Sequence, residues 1–413
     1  MFRRTRAFRD PVTIHLDGSP VRAERGEPLA ASLLAEDKII LARSPKLHRP
    51  RSASCFHGGC DGCLMRVDGT PNVMTCLHAT RGDEEIEAQN VVGSRQADLL
   101  RVTDWFFPKG IDHHHFMAGV PALGSIMQSF ARKIAGLGRM PSEIEAPRPA
   151  RLLEADVVVV GAGLAGLVVA QKLGAAGARV VVVDDGLSLG GSLLALPDQA
   201  PLLASIRPSG DLVFSRATAA GVYLGELLVA AEEGAVVVRA PAKVFATGTH
   251  DGVSAFPGND LPGVFSARAL CLLHTYGVEP DGPVVVAGAG FWADELARRL
   301  GDRVVRCEVS ALAGVEGTGQ VKRVLLREGA ENERRVDTEI LALALPGAPA
   351  FELAAQAGAE VRFDPARGYA VACDADGAAG EGIWAVGECT GMDFDPDVIT
   401  AAAERCAAAI SRR

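Results

Sequence analysis

The stretch Asp156-Val-Val-Val-Val-Gly161-Ala-Gly163-Leu-Ala-Gly166 decides the fold of this chain. Four consecutive valines predict a parallel strand that is buried on both faces. The glycines that follow predict a tight turn into a helix from Leu164 to about Ala176. A second valine run, 180–183, then leads directly to Asp184. The predicted order is therefore strand, turn, helix, strand and acid.

Each residue of this turn has a predicted role at a dinucleotide site. Gly161 permits the turn, Gly163 lets the backbone approach a pyrophosphate, and Gly166 lets the helix pack closely on the strand. The helix N-terminus would direct N–H groups and partial positive charge at that pyrophosphate. Asp184 suits the ribose hydroxyls. The pattern predicts a bound dinucleotide, and an empty Rossmann-like fold is the alternative.

Composition limits the classes of protein to which this chain can belong. A length of 413 residues predicts two or three domains, and 48% hydrophobic residues with a net charge of -9 predict a globular, soluble protein. The arginines are dispersed except among the first nine residues, and no apolar stretch follows that cluster. We therefore expect neither nucleic-acid binding nor an export signal. No apolar run is long enough for a membrane span, so we expect a cytoplasmic protein.

Four of the nine cysteines lie close together near the N-terminus, at Cys55, Cys60, Cys63 and Cys76. The first three have the C-x4-C-x2-C spacing of a plant-type [2Fe–2S] ligand loop. Residues 64–74 between the last two predict a β-hairpin that returns the fourth cysteine to the loop. Crowded cysteines with an odd total favour a metal centre in a reducing compartment over a disulfide framework.

Three other interpretations of these cysteines stay open. A structural zinc ion also accepts four thiolates. A Rieske centre needs two histidine ligands; His57 and His78 partly fit that pattern, but the second C-x2-H element is missing. The cysteines could also be unligated core residues. The spacing favours the [2Fe–2S] cluster, with both histidines outside the ligand set.

The segments on either side of the cysteine loop extend this interpretation. Alternating residues from Val12 to Glu24 predict a hairpin, and 29–35 predict a helix, which together fit a β-grasp domain. The irregular segment 90–149 is a predicted connector, in which His113, His114 and His115 favour a surface or interdomain loop over a metal site.

Three later motifs follow strands that belong to the same type of fold. A strand that starts at about Ala242 ends in Ala246-Thr247-Gly248, where close backbone approach to a ligand is expected. Gly288 to Ala293 forms a second glycine turn, GxGxxA, and predicts an internal Rossmann repeat. Its bulky Phe291-Trp292 and two early carboxylates would crowd and repel a pyrophosphate, so an empty fold is favoured over NAD(P) binding. Gly387-Glu388 ends a last strand, and its acid could accept a hydrogen bond from a ribityl hydroxyl.

Together, these motifs resemble the two-dinucleotide-binding-domain flavoproteins, and further segments look like the α subunit of heterotetrameric sarcosine oxidase. Related subunits occur in opine oxidases, dye-linked proline dehydrogenases and hydrogen cyanide synthase. The segments that carry this resemblance are Ser44-Pro-Lys-Leu-His-Arg-Pro-Arg51, Val67-Asp-Gly-Thr-Pro-Asn72, Gly190-Gly-Ser-Leu193 and Phe256-Pro-Gly-Asn-Asp-Leu-Pro-Gly263.

The resemblance implies an α/β fold, in which an N-terminal β-grasp (ferredoxin-like 2Fe-2S) domain precedes a two-dinucleotide-binding-domain flavoprotein fold with two Rossmann-type units. The expected divisions are a β-grasp domain at 1–90, a connector at 91–150, a discontinuous FAD-binding domain at 151–280 and 370–413, and a second, NAD-like Rossmann domain at 281–369. The expected cluster ligands are Cys55, Cys60, Cys63 and Cys76. The resemblance implies FAD at the first Rossmann site, with NAD as the alternative. The expected cofactor contacts are Gly161, Gly163, Leu164, Ala165, Gly166, Asp184, Asp185, Gly191, Ser192, Ala246, Thr247, Gly248, Gly387 and Glu388.

The resemblance also implies a function. We expect a chain without the C-terminal folate-binding half of the sarcosine oxidase α subunit, and its four cysteines favour the iron–sulfur branch of the group. We expect an electron-transferring subunit whose partner β subunit is a flavoprotein that carries the substrate site, with FMN at the subunit interface. The sequence indicates no catalytic residue. A self-sufficient NAD(P)H reductase and a zinc-stabilised scaffold are the alternatives.

Overall fold

A computed structural model describes residues 1–45, 47–106, 149–206, 212–329 and 332–412. His113, His114 and His115 of the predicted connector lie outside these residues. No helix in the described ranges has both the length and the apolar character needed to cross a membrane. The α-helices are α1 (Leu29–Ala35), α2 (Val102–Phe106), α3 (Leu164–Ala175), α4 (Ala200–Ser205), α5 (Ala267–Thr275), α6 (Phe291–Leu300), α7 (Glu352–Gln356) and α8 (Pro396–Ser411).

Short 3-10 helices and many strands complete the secondary structure. The 3-10 helices are Leu99–Arg101, Gly191–Ala195, Pro197–Gln199, Gly301–Arg303, Val309–Ala311 and Glu388–Thr390. The strands are β1 (Phe2–Arg4), β2 (Pro11–Leu16), β3 (Ser19–Glu24), β4 (Ala42–Arg43), β5 (Pro50–Arg51), β6 (Leu64–Val67), β7 (Thr70–Met74), β8 (Glu85–Glu87), β9 (Arg151–Glu154), β10 (Val157–Val160), β11 (Val180–Val183), β12 (Val213–Phe214), β13 (Thr218–Tyr223), β14 (Glu226–Ala231), β15 (Gly234–Arg239), β16 (Ala242–Phe245), β17 (Thr249–His250), β18 (Val264–Ser266), β19 (Val278–Pro280), β20 (Val284–Gly288), β21 (Val304–Cys307), β22 (Leu312–Glu316), β23 (Arg323–Glu328), β24 (Asn332–Asp337), β25 (Ile340–Ala344), β26 (Ala348–Pro349), β27 (Val361–Asp364), β28 (Gly368–Val371), β29 (Ala378–Gly380) and β30 (Ile383–Ala385).

The N-terminal sheet has five strands in the order β3-β2-β8-β6-β7. Both predicted hairpins are confirmed, since β2 pairs antiparallel with β3 and β6 pairs antiparallel with β7. Asp17-Gly18 and Asp68-Gly69 occupy their two-residue turns with positive φ, as tight hairpin turns require. Helix α1 buries Leu29, Leu33 and Leu34. Two hairpins and a packed helix form the predicted β-grasp domain.

The six-stranded sheet has the order β12-β11-β10-β16-β30-β29 and is parallel except where β29 meets β30. The valine run of β10 is buried on both faces, as predicted. Val157 and Val159 belong to one apolar core, and Val158 and Val160 belong to another. The first core also contains residues of α3 and α8. Helices therefore cover one face of β10, while the other core includes residues of β14 and β15.

A second parallel sheet has the order β18-β25-β20-β21. Strand β20 leads through Gly288 and Gly290, both with positive φ, into α6, which confirms the predicted second Rossmann-type repeat. Its first strand, β18, is residues 264–266 and so precedes the predicted boundary at 281. A three-stranded antiparallel sheet, β22-β23-β24, is inserted before β25.

Residue contacts divide the chain into two compact units. The first unit holds the N-terminal sheet together with Ser254–Gly288 and Ala297–Leu343. The second unit holds the six-stranded sheet together with Ala289–Leu296 and Ala344–Arg413. The β-grasp sheet and the second Rossmann-type sheet thus share a unit, and the first Rossmann-type sheet lies in the other.

Candidate functional site

The first unit brings its four N-terminal cysteines together. The Sγ atoms of Cys55 and Cys60 are 3.3 Å apart, and Cys76 is hydrogen-bonded to the thiols of both Cys55 and Cys63. Cys55, Cys63 and Cys76 are buried, whereas Cys60 is partly exposed. The hairpin formed by β6 and β7 carries Cys76 back to the loop, as its spacing predicted.

Hydrogen bonds between these thiols are the main cause of their shifted pKa values. Bonds from Cys60 and Cys76 hold the pKa of Cys55 far below its usual range, and the bond to Cys55 raises the pKa of Cys60 and of Cys76. Four thiolates so close together need cationic compensation, which metal ligation supplies by displacing the protons. Within the described ranges, no group of three or more His, Cys, Asp or Glu side chains already has the arrangement of a metal site. The candidate centre therefore rests on the proximity and chemistry of the thiols.

Glycines allow the cysteine loop to fold tightly. A Cβ atom on Gly62 would lie 2.0 Å from the carbonyl oxygen of Ser52, which is far inside contact distance. Gly58 has φ +80°, a conformation that favours glycine. The loop is also held to the hairpin, since both the amide and the hydroxyl of Thr75 donate to the Cys63 carbonyl.

The two histidines beside the cysteine loop have different surroundings. His78 is half-buried with its Nε2 atom 3.7 Å from Glu84, and burial lowers its pKa. The ring of His57 lies beside Gly59, whose Cβ atom would be 2.6 Å from it. The side chains joined by direct hydrogen bonds are the four thiols, which suits a [2Fe–2S] cluster with four cysteine ligands.

The same unit anchors the chain that enters the cysteine loop. Arg51 donates to the Asp260 carboxylate at 2.7 Å, and the amide of Ser266 donates to the Ser54 carbonyl at 3.0 Å. Arg49 lies 3.6 Å from the same Asp260 carboxylate. These contacts attach residues just before Cys55 to the segment that leads into the second Rossmann-type sheet. Sequence reasoning found both segments as motifs but did not find that they touch.

The second unit contains the predicted dinucleotide turn, and its glycines divide into two kinds. A Cβ atom on Gly161 would lie 2.3 Å from the Ala246 carbonyl oxygen, and one on Gly166 would lie 1.9 Å from the Gly161 carbonyl oxygen. A Cβ atom on Gly163 would meet no atom within 4 Å. Gly161 and Gly166 are thus required for packing, whereas Gly163 leaves open space at the N-terminus of α3.

Asp184 contacts the backbone of two turns. One carboxylate oxygen accepts from the Ala162 amide at 2.6 Å, and the other accepts from the Gly186 amide at 2.9 Å. Asp184 is partly buried, and its neighbour Asp185 is exposed. The carboxylate therefore positions the first glycine turn against the end of β11. This bond was not predicted, because the sequence does not show which backbone amides face an acid.

The glycine pair after β11 lies directly beside the first turn. Gly190 donates its amide to the Ala162 carbonyl at 2.8 Å, and a Cβ atom on Gly191 would be 3.0 Å from the Cα atom of Gly163. Gly191 has φ +51° and begins the 3-10 helix that contains Ser192. Two predicted contact segments are thus adjacent in space.

The later motifs reach the same region of the second unit. A Cβ atom on Gly387 would lie 3.0 Å from the Cβ atom of Ala165 in α3. The Thr249 hydroxyl donates to Glu388 at 3.1 Å, and the Thr247 hydroxyl donates to the Ala350 carbonyl at 2.5 Å. The ends of β10, β16 and β30 therefore converge, as expected where a dinucleotide binds at the carboxyl edge of a parallel sheet.

An aromatic cluster follows the second glycine turn. Trp292 stacks on Phe394 with ring centroids 4.9 Å apart, and Phe291 contacts both rings edge-on at 5.1 and 5.0 Å. Phe394 precedes α8 and was not identified from the sequence. The predicted bulk of Phe291 and Trp292 is thus used to pack against the segment that follows Gly387.

Comparison with known proteins agrees with this arrangement. Residues 9–91 match the family described as a 2Fe-2S iron-sulfur cluster binding domain, and residues 159–198 match the NAD(P)-binding Rossmann-like domain. The α subunit of sarcosine oxidase from Rhizobium meliloti (strain 1021) is 29% identical over 353 residues, which are 76% of this chain and 36% of the relative. An opine oxidase subunit from Agrobacterium tumefaciens (strain Ach5) is 33% identical over 173 residues, which are 36% of this chain and 34% of the relative.

The chain is similar to α subunits of sarcosine oxidase over three quarters of its length. It spans about a third of the length of these relatives. L-Proline dehydrogenase from P. horikoshii has a similar fold, with a TM-score of 0.69 and 20% identity over 97% of this chain and 78% of that one. This chain therefore combines a match to an iron–sulfur domain with a dinucleotide-binding fold.

Proposed function

We propose that this chain is the electron-transfer flavoprotein and iron–sulfur subunit of a multi-subunit amine or amino-acid dehydrogenase or oxidase. The observation that carries the proposal is that one chain has both four converging thiols and a dinucleotide cradle. A bound flavin supplies two-electron chemistry and a [2Fe–2S] cluster one-electron chemistry, so a chain with both can connect substrate oxidation to an electron acceptor.

In this proposal, the second unit holds FAD. The amides at the N-terminus of α3 face the open space beside Gly163, which suits a pyrophosphate. Asp184, Asp185 and the Gly191-Ser192 pair would surround the adenosine end, while Ala246-Thr247-Gly248 and Gly387-Glu388 would contact the remainder. Asp184 would orient the first turn through the Ala162 amide even where it also accepts a ribose hydroxyl.

The first unit would hold the cluster through Cys55, Cys60, Cys63 and Cys76. Their burial excludes water from most of the ligand set, and partly exposed Cys60 marks the side open to solvent. The loop conformation set by Gly62 and the anchor at Asp260 would keep the four sulfur atoms together during changes of charge.

A partner completes the proposed enzyme. The relatives are named as subunits, which supports a flavoprotein β subunit that carries the substrate site, with FMN at the interface between subunits. NAD(P) binding at the second glycine turn is disfavoured by the aromatic packing of Trp292 on Phe394. Buried free thiols suit a reducing compartment, and we place the protein in the cytoplasm.

Purification of the full chain with its native partners tests this function. We expect FAD and about two irons per chain, and anaerobic bleaching of the flavin by an amine or amino acid from a panel that includes sarcosine, proline and opines. Reduction should require the partner. Zinc without iron or flavin would refute the proposal, and bleaching of the isolated chain by NADH would favour the self-sufficient reductase instead.

A further inference from the structure

A cavity of about 330 Å³ lies in the second unit, beside the segment that follows β30. None of the residues proposed to contact FAD lines it. Its volume is at the small end for ligand pockets and suits a metabolite smaller than a nucleotide. Its lining includes Arg362, Cys373, Val386, Met392 and Arg405.

Two guanidinium groups give the cavity its charge. Arg362 donates to the Thr390 carbonyl at 3.1 Å, and Arg405 donates to the Ala375 carbonyl at 3.4 Å. Within the described residues, neither arginine forms a salt bridge with a carboxylate. The Asp374 carboxylate also lines the cavity, but one of its oxygens accepts from the Asp376 and Ala378 amides. The lining therefore carries an excess positive charge.

The remaining lining combines a thiol with apolar surface. Cys373 is partly buried; burial raises the pKa of its thiol, and the Arg362 guanidinium opposes that effect. Val386, Met392 and Ala402 contribute apolar groups. A small cavity whose lining combines apolar groups with a few charged ones suits an organic anion.

We propose that this cavity binds a small organic oxyanion, a carboxylate or a phosphate ester, whose charged group lies between Arg362 and Arg405 and whose apolar body contacts Val386 and Met392. The site is separate from the proposed FAD contacts but touches Thr390 and Gly391, which lie two and three residues after Glu388. A bound anion would accept the hydrogen bonds that the guanidinium groups still have available.

Cys373 provides a reporter inside the cavity. The full chain would be alkylated with neutral iodoacetamide, and modification of Cys373 would be followed by mass spectrometry in the presence of succinate, inorganic phosphate or chloride at equal ionic strength. We expect succinate or phosphate, but not chloride, to slow alkylation of Cys373. Protection by succinate alone would identify a carboxylate site, and protection by phosphate alone would identify a phosphate site.

Matched variants make the test specific. Arg362→Gln and Arg405→Gln should each raise the anion concentration needed for half-protection by about tenfold, the loss expected for one charge-assisted hydrogen bond. Arg216→Gln removes the same charge from an exposed residue that pairs with Glu232 outside the lining, and it should leave protection unchanged. Equal alkylation rates with and without both oxyanions, no alkylation of Cys373 at all, or unchanged protection in both lining variants would each overturn the proposal. Because the readout needs no flavin or partner, it is independent of the proposed electron-transfer function.

Discussion

Substitution of Gly163 by alanine separates folding from cofactor binding. Gly163 has φ -73° and ψ -172°, an extended conformation that any residue adopts, and its Cβ atom would meet no protein atom. We therefore expect the free energy of unfolding of the cofactor-free protein to stay within about 1 kcal/mol of the wild type, with a gain of about 0.4–1 kcal/mol from the stiffer unfolded chain.

The added methyl group should nevertheless exclude the dinucleotide. It would occupy the space in which a pyrophosphate approaches the amides at the start of α3. Loss of two charged hydrogen bonds, at about 1.5–3 kcal/mol each, would weaken binding by about 100-fold or more. Gly166→Ala should behave differently, because its Cβ atom would lie 1.9 Å from the Gly161 carbonyl oxygen. We expect that variant to lose about 3 kcal/mol of stability or more, with or without cofactor.

Urea unfolding of cofactor-free protein and the FAD content after reconstitution measure the two effects separately. Gly177→Ala is the matched control, since Gly177 has open space but φ +91°, so alanine there should cost about 1 kcal/mol without loss of flavin. Wild-type flavin content in Gly163→Ala would refute the proposed seat of the pyrophosphate. A large loss of stability in that variant would show that the glycine is needed for packing.

Three further predictions concern thiols and buried charge. Cys60→Ser should abolish iron binding and leave flavin bound, whereas Cys271→Ser, in the buried face of α5, should keep both cofactors. Iron and flavin analysis would check this prediction, and iron retained by Cys60→Ser would contradict the ligand assignment. Asp98→Ala should lower the free energy of unfolding by about 3 kcal/mol, because it leaves fully buried His48 without its 2.9 Å partner. Thermal unfolding would measure the loss, and a loss below about 1 kcal/mol would argue against the buried pair. Burial raises the pKa of Cys389 to about 11. The stability that the buried neutral thiol contributes should therefore be complete below the ordinary thiol pKa of 9.0 and be lost as the pH rises through 11. In Cys389→Ala, the urea midpoint of unfolding should fall less steeply between these pH values than in the wild type. An unchanged slope would contradict this assignment.

Much of the fold could be predicted because local patterns determine it. The four valines before Gly161 specify a buried central strand, and Asp17-Gly18 specifies a hairpin wherever the rest of the chain lies. The four thiols converge because a second hairpin of fixed length returns Cys76 to the loop.

The contacts that escaped prediction join residues far apart in the sequence. The bond from Arg51 to Asp260 and the stack of Trp292 on Phe394 depend on how whole segments pack, which no local period reveals. Asp184 shows a subtler limit, since its spacing after the glycine turn predicts a ribose contact but cannot reveal that the backbone also uses both of its oxygens.

The pairing of β1 with β19 constrains how the protein is made. Phe2 to Arg4 lie antiparallel to Val278–Pro280, and the ring of Phe2 meets that of Phe265 at 5.4 Å. More than half of this sequence separates the two strands, so β1 can pair only after that length has been made, at a synthesis rate of about 5–20 residues per second. The cysteine loop would emerge during that interval, while its neighbours in the first unit are incomplete. The bond from Arg51 to Asp260 likewise needs a segment made 209 residues later, so a fragment that ends before Asp260 would carry the cysteine loop without that anchor.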